Sequence, residues 1–532
     1  MTTTREAALP SAERRLDRRR LHRALPRPVA VLVPAVLALV LAGIRSLQLP
    51  FWRDEFATSM YASLRFGDLL SAVEHVDGVL APYYVLAHAL MPVLGPDVGL
   101  RIPSLLAFAG SAAVVSLVAL RWWGSWAGLA AGIALATNGA AVTAAASARP
   151  YALAVLFVAF AVLAADAAAA GGRRRTWIGY ALAACAAVAA HVLAAIAIAL
   201  TALLLIGRYR SSARAWMVAS VPAGLITIGL LLLGSGHRGQ LAWLGTPDLR
   251  SALAELARAV GLTLDVAVLL DGVALITLAL AAAAALRAAI TAPDAASADA
   301  GTVGRASRVR PVLFSAALAV APWALLFVAS LTVTPILATR YLLWSALGSA
   351  LVIAAAVAAA LTARRSIAIV AGVAAIGLLA VSASAAAVRV VAPPPRGDDF
   401  PALVADLASR AEPGDLVLVA QPYEQGGVAW GFATSAGDPR HRAELIDRLP
   451  DGTQPTLEVR RITSVAPLRT TSDAAATIGD ENVWTVTIHD LTDAQLAQVD
   501  PALATCVADL DDRDAGHYGA VRLLRTSCRP AP

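Results

Sequence analysis

Residues 29–44 read Val-Ala-Val-Leu-Val-Pro-Ala-Val-Leu-Ala-Leu-Val-Leu-Ala-Gly-Ile, and Arg45 and Ser46 close the run. With its flanks this stretch is long enough, at 1.5 Å per residue, to cross roughly 30 Å of hydrocarbon. It follows a basic stretch that contains Arg14, Arg15, Arg18, Arg19 and Arg20. A cleavable signal would end in a small-residue site. Here Leu49, Pro50, Phe51 and Trp52 come next. The run is therefore read as a first membrane helix that starts in the cytoplasm.

The same character recurs as far as residue 390. Of the 532 residues, 58% are hydrophobic and 15% are charged, where soluble domains carry about a quarter charged residues. The mean hydropathy is +0.68. A helix is the only open element that keeps its backbone paired in lipid, and the short alternating segments of a barrel are not visible. Eleven spans are expected, at about 29–46, 82–98, 101–120, 126–146, 150–169, 177–207, 216–235, 263–290, 311–330, 341–361 and 366–388. Arg208, Arg210, Arg364 and Arg365 then fall inside, as charge bias demands. Arg173, Arg174 and Arg175 fall outside on this count. The stretch 177–207 is also too long for one upright helix, so it is one span or two short ones around His191. The net charge of +6 does not argue for nucleic acid, because the arginines flank apolar runs and form no basic groove with aromatics.

The expected class is an all-α polytopic membrane protein with a C-terminal soluble α/β domain. Residues 1–28 form a cytoplasmic basic N-terminus, 29–390 the membrane domain and 391–532 an extracytoplasmic domain, in a multi-pass protein of the cell membrane. In this last part Phe400, Leu403, Val404 and Leu407 recur at helical spacing, Pro413-Gly414-Asp415 forms a turn, and Leu416 to Ala420 reads as a buried strand. Asn482 to His489 and Val521 to Leu524 read as further strands, the first with Trp484, Val486 and Ile488 on one face. The chain has three cysteines. Cys185 lies in a membrane run and reads as a small packed hydrophobe. Cys506 and Cys528 lie in the tail, where an oxidising space would support a disulfide between them.

Three polar connections fall on the outer face: 47–81, 236–262 and 331–340. Loops on one face of a rigid scaffold commonly carry function. The first contains Asp54 and Glu55, adjacent carboxylates among Phe51, Trp52, Arg53 and Phe56. In a partly dry cleft a carboxylate can act as a general base. The pair could also bind Mg, Mn or Ca through oxygen, or simply face water from an interfacial aromatic belt. His75 and Asp77 form a second polar cluster, and Tyr84 and His88 share a helix face at i,i+4. No zinc signature accompanies them. Arg101 and Arg149 adjoin apolar runs and can be read as snorkelling residues. No phosphate-cradling glycine motif is present.

The order Trp52-x-Asp54-Glu55, Asp77 with Pro82-Tyr83-Tyr84 and His88, Leu100-Arg101-x-Pro103-Ser104, then Arg149-x-Tyr151 resembles the C-type (GT-C) membrane glycosyltransferases. Within them it is similar to the protein O-mannosyltransferase-like and lipid A aminoarabinose-transferase-like enzymes, and to actinobacterial cell-envelope mannosyl- and arabinofuranosyltransferases. The resemblance covers about residues 28–390 and is strongest over 50–151. It implies an inverting transfer of a sugar, mannose or arabinofuranose, from a polyprenyl-phosphate carrier on the external face. The acceptor would be a cell-envelope glycan, glycolipid or protein, in cell wall biogenesis. It implies that Asp54, with Glu55 beside it, handles the acceptor hydroxyl, and that Arg340, Tyr341 and Arg149 hold the donor phosphate. His75, Asp77, Tyr84 and His88 would serve the acceptor or a second polar cluster. Two departures stand out. Ala81-Pro82 replaces a Pro-Pro pair, and Ser147-Ala148 stand where many relatives place a glutamate, which removes a charged partner for Arg149. A lipid or sugar transporter, with His191, Asp265 and Asp271 as intramembrane polar candidates, and a noncatalytic envelope scaffold are the competing readings.

Overall fold

The computed structural model describes residues 25–75, 77–95, 98–171, 173–205, 210–235, 244–262, 268–292, 301–391, 398–420, 428–437, 457–473, 482–487, 516–519 and 521–526. Apolar runs of the required length fold as helices because lipid leaves the backbone no other way to pair within one segment. The helices are α1 (Arg27–Gln48), α2 (Arg53–Ser63), α3 (Phe66–His75), α4 (Ala81–Leu94), α5 (Ile102–Trp123), α6 (Ser125–Ala136), α7 (Gly139–Ala145) and α8 (Tyr151–Ala169). They continue with α9 (Arg174–Ala190), α10 (Ala194–Leu200), α11 (Arg210–Ser235), α12 (Leu249–Ala259), α13 (Val268–Thr291), α14 (Gly301–Thr332), α15 (Ser345–Thr362) and α16 (Arg365–Val391).

Among the described residues, eight helices are long and apolar enough to cross a membrane, and nine if the bent pair α6 and α7 is one span. This makes the chain a polytopic membrane protein. The expected span at 82–98 is a shorter apolar helix, Gly78–Leu94, and Ala194–Leu205 is another. The stretch 177–207 breaks at His191, whose backbone is extended at φ −155° and ψ 116°. The α6–α7 bend is 64°. It is fixed by Asn138, which accepts from the Ala141 N–H at 2.9 Å and donates to the Ala259 carbonyl at 3.0 Å.

The alanine abundance has a packing consequence that the linear sequence did not disclose. Helices in lipid associate through close contact of small residues and a few interhelical hydrogen bonds. In α15 every residue from Ser345 to Ala356 is buried. A Cβ on Gly348 would lie 2.2 Å from the Ala319 nitrogen of α14, so only glycine fits there. The Thr137 and Ser382 hydroxyls pair at 2.9 Å, and Ser349 donates to the Val260 carbonyl at 3.0 Å.

After α16 come helices α17 (Phe400–Arg410) and α18 (Val428–Ala436) and strands β1 (Leu416–Ala420), β2 (Leu457–Val465), β3 (Leu468–Ser472), β4 (Val483–Thr487), β5 (Gly516–Tyr518) and β6 (Val521–Thr526). The sheet order is β3-β2-β1-β4-β6-β5. The β1–β4 pair is parallel and the other pairs are antiparallel. As expected, Phe400, Leu403, Val404 and Leu407 are the buried face of α17. The strand expected over 482–489 is β4, and its residues are buried on both faces. Trp484 and Val486 therefore do not mark a single inner face, as alternation had suggested. The β2–β3 hairpin was not expected. Ile488, His489, Cys506 and Cys528 lie outside the described residues, so the expected disulfide does too.

This sheet-containing part packs on the first connection of the membrane part. Phe56 of α2 meets Phe400 edge-on at 5.3 Å. A Cβ on Gly431 would fall within 2.9 Å of both rings, so α18 needs glycine to approach. Asp398 accepts from the Arg53 N–H at 2.9 Å. The result is that Glu55 through Ala62 of α2 are all buried, although they lie in a polar connection rather than a span.

Candidate active site

A cavity of about 460 Å³ is lined by residues of the first and third polar connections, 47–81 and 331–340, and by the ends of neighbouring helices. Its polar lining includes Asp54, Asp77, Arg149, His191, Arg340 and Tyr341. Leu80, Val192, Leu193, Leu231, Val333 and Ile336 supply apolar wall. A carboxylate between guanidiniums beside an apolar wall suits a ligand with a charged head and a greasy chain.

Asp54 sits in the first turn of α2, where the helix dipole favours negative charge. Its Oδ2 lies 3.3 Å from Arg340 Nη1 and 3.8 Å from Arg149 Nη2. The partner that the sequence seemed to deny Arg149 is thus Asp54 itself. Arg149 Nη1 also donates to the Asp54 carbonyl and to the Tyr84 hydroxyl, both at 3.3 Å. Tyr84 in turn donates to Asp77 Oδ2 at 2.9 Å. Asp77 has a left-handed backbone, φ 57°, a conformation that Asp tolerates better than most residues. Burial acts against the Arg149 charge, and Tyr84 and Asp54 overcome it, so its pKa stands above the ordinary guanidinium value.

Glu55 turns the other way. Its side chain is fully buried, as is that of Arg101. The two form a forked pair, Arg101 Nε to Oε1 and Nη2 to Oε2, both at 2.7 Å. The remaining donors of Arg101 reach the carbonyls of Ser46 and Leu49 through Nη1 and Pro50 through Nη2, at 2.6, 3.0 and 3.0 Å. Glu55 Oε1 also accepts from the Ala148 N–H at 2.7 Å. Thr58 donates to the Ala148 carbonyl at 3.1 Å, and Ser104 to the Arg149 carbonyl at 2.9 Å. Arg101 is thus no snorkelling residue. The pair ties the end of α1, the start of α2 and the backbone just before Arg149, which are the segments that present Asp54 and Arg149.

Arg340 is held from a third element. It lies in a single turn, Thr339–Tyr341, and its guanidinium stacks 5.3 Å from the Tyr341 ring. Glu255 of α12 accepts from the Thr339 N–H at 2.6 Å and is itself paired with Arg258. Ser330 accepts from the N–H groups of Ile336 and Leu337, both at 2.9 Å. Glu255 went unnoticed in the sequence because its amphipathic helix looks like any surface helix.

The other expected residues divide. Asp77 and Tyr84 belong to the network around Arg149. His88 does not: its Nδ1 meets the Ala62 carbonyl at 3.0 Å and its ring lies 5.9 Å from Phe66. The side chain of His75 lies outside the described residues, as does Asp265. His191 lines the cavity, with Tyr151, Tyr341 and Trp344 5.4–5.7 Å from its ring. Asp54 and Glu55 do not converge on one point. Among the described residues no group of three or more His, Cys, Asp or Glu side chains is placed to hold a metal ion. With two guanidiniums beside Asp54, its surroundings suit an anion better than a dication.

No protein-family model and no curated protein matches this chain. Among solved structures the chain is similar to the crystal structure of ArnT from Cupriavidus metallidurans bound to undecaprenyl phosphate, at 15% identity. The match covers 94% of this chain and 98% of that one, with a TM-score of 0.44.

Proposed function

We propose that the chain is a GT-C-type glycosyltransferase that moves a sugar from a polyprenyl-phosphate donor to a hydroxyl of a cell-envelope acceptor, with inversion, on the external face. The observation that carries this reading is Asp54 placed between Arg149 and Arg340 in the lining of a cavity with an apolar wall. The order of motifs from Trp52 to Tyr151 supports it.

In this reading the prenyl chain lies along the apolar wall and its phosphate takes Arg340, with Arg149 behind it. Arginine suits phosphate because its planar fork gives two parallel charge-assisted hydrogen bonds. Arrival of the phosphate draws Arg340 away from Asp54 and leaves the carboxylate free to accept the acceptor's proton. The acceptor oxygen then attacks the anomeric carbon, the carbon–oxygen bond to the phosphate breaks, and the electron pair leaves on the phosphate oxygen. Fixed guanidiniums stabilise that developing charge. A single displacement with one carboxylate inverts the anomeric configuration. Glu55 and Arg101 are positioning residues in this scheme, since neither faces the cavity.

The test is a transfer assay with purified protein and polyprenyl-phosphate mannose or arabinofuranose, followed by product mapping. Turnover of neither donor, in protein that binds a prenyl phosphate, would overturn the assignment to sugar transfer.

A further inference from the structure

The first turn of α2 carries Asp54, and its start is not capped from the adjoining sequence. Trp52 occupies the N-cap position with an extended backbone, φ −112° and ψ 168°, and its side chain makes no capping bond. An indole only donates, and the open groups at a helix start are themselves N–H donors. Tryptophan is therefore unable to do what Ser, Thr, Asp or Asn does there.

The acceptor comes from 345 residues away. Asp398 Oδ2 accepts from the Arg53 N–H at 2.9 Å, and its Oδ1 lies 3.6 Å from Arg53 Nη1. Asp398 is fully buried, and burying a carboxylate is costly unless it is paired and hydrogen-bonded. Arg53 supplies both an N–H and a guanidinium. Negative charge at this end of a helix also meets the dipole favourably. Asp398 is in turn fixed to the sheet. It bridges to Gly519, and the neighbouring Asp399 N–H donates to the Tyr518 carbonyl of β5 at 3.1 Å. Asp399 caps its own helix, α17, by accepting from the Ala402 N–H at 3.1 Å. Two consecutive aspartates thus cap two helices, one local and one in the membrane part. Two other contacts of the sheet-containing part, Phe400 against Phe56 and the Trp430 indole donating to Ser59 Oγ at 3.4 Å, lie farther along α2. They seat the body of the helix, whereas Asp398 holds the turn from which Asp54 reaches Arg149 and Arg340. Among the described residues the cavity lining ends at Tyr341, so no described residue of the sheet-containing part forms its wall.

We propose that Asp398 is a positioning residue for Asp54. On the sugar-transfer reading above, on which this rests, the sheet-containing part governs the chemical step from outside the cavity, by capping the helix that presents the base. Loss of the cap frays the first turn and lets the carboxylate drift from the acceptor hydroxyl. Turnover then falls with little effect on donor binding, because Arg149 and Arg340 sit on other elements.

Hydrogen exchange of the full chain in mild detergent, read on peptides covering residues 51–61, and steady-state transfer kinetics on the same proteins test this. Asp398→Ala is expected to speed exchange there by roughly tenfold, as for a lost cap. It is expected to lower kcat by roughly ten- to a hundredfold, as for a misplaced reacting group, with the donor KM nearly unchanged. Asp398→Asn keeps an acceptor oxygen in the same place and is expected to restore most of both. Arg53→Pro breaks the bond from the other end: proline suits the first helical position and the extended residue before it, but has no N–H to donate. It is expected to lower kcat in the same way, and serves even if Asp398→Ala fails to fold. Wild-type exchange and kcat in Asp398→Ala, an Asn variant as impaired as the Ala variant, or unchanged kcat in Arg53→Pro would overturn the proposal. Wild-type protein that transfers neither sugar would sink the sugar-transfer reading instead, and the exchange measurement would still decide whether Asp398 caps α2.

Discussion

Replacing Arg101 by methionine leaves Glu55 charged, fully buried and without its guanidinium. It also removes the donors that satisfy the carbonyls of Ser46, Leu49 and Pro50. Breaking a buried pair by removing one partner costs about 3–5 kcal/mol, mostly the penalty of the stranded charge. Glu55→Met strands Arg101 in the same way and should cost a similar amount. The double variant buries no charge, so it should lose much less than the sum of the two singles. It will not recover fully, because the Ala148 N–H and the three carbonyls remain without partners, at about 1–3 kcal/mol for each group that water does not reach. A coupling energy of about 2 kcal/mol or more is therefore expected. Denaturant unfolding of the four proteins in mild detergent, followed by tryptophan fluorescence, measures it. The double variant should still transfer sugar poorly, because the staple that places Asp54 and Arg149 is gone. Additive single losses below about 1 kcal/mol each would refute the reasoning, since a water-exposed pair behaves that way.

Arg340→Ala should raise the apparent KM for the lipid-phosphate donor by roughly tenfold or more while leaving the acceptor KM nearly unchanged, because alanine cannot replace a forked contact; equal effects on both substrates would remove Arg340 from the donor site. Glu255→Ala should imitate Arg340→Ala more weakly, by freeing the turn at Thr339, and Glu255→Gln should restore part of the loss since an amide oxygen can still accept from the Thr339 N–H; no rescue by Gln would argue against a positioning role. Mass mapping of nonreduced protein taken directly from membranes should find Cys506 joined to Cys528. Two free thiols would sink that pairing and weaken the external placement of the tail.

The membrane class was legible because it rests on composition over long windows, and lipid admits few solutions. Asp54 could be singled out as a carboxylate among aromatics just after a span, but those residues alone read equally as an interfacial belt facing water, and its expected role came from the resemblance. Arg149 and Arg340 could be singled out one by one, but their convergence on Asp54 depends on contacts 95 and 286 residues apart in sequence. Glu55 shows the limit most clearly. Side by side with Asp54 it looks like a second site carboxylate, yet consecutive helical positions point about 100° apart. One therefore faces the cavity and the other the core, where Arg101 waits 46 residues on. His88 went the same way, for helix periodicity alone does not say which face meets a ligand. The break at His191 was readable from length, whereas the α6–α7 bend was not, since its cause is one asparagine whose partner lies on α12. The β2–β3 hairpin was hidden by Arg460 and Arg461, which interrupt an otherwise strand-like pattern.

The central claim is that Asp54 takes the acceptor's proton while Arg340 and Arg149 hold the departing phosphate. Single-turnover transfer from a radiolabelled polyprenyl-phosphate sugar, by wild type and Asp54→Asn reconstituted in the same lipid, tests it most directly. Asparagine keeps the shape of the side chain but cannot serve as the base, so the account predicts a loss of about 10²–10⁴-fold in the chemical step. It also predicts that donor binding persists, since both arginines remain. An Asp54→Asn protein that folds, binds the donor and transfers sugar at a rate close to wild type would contradict it.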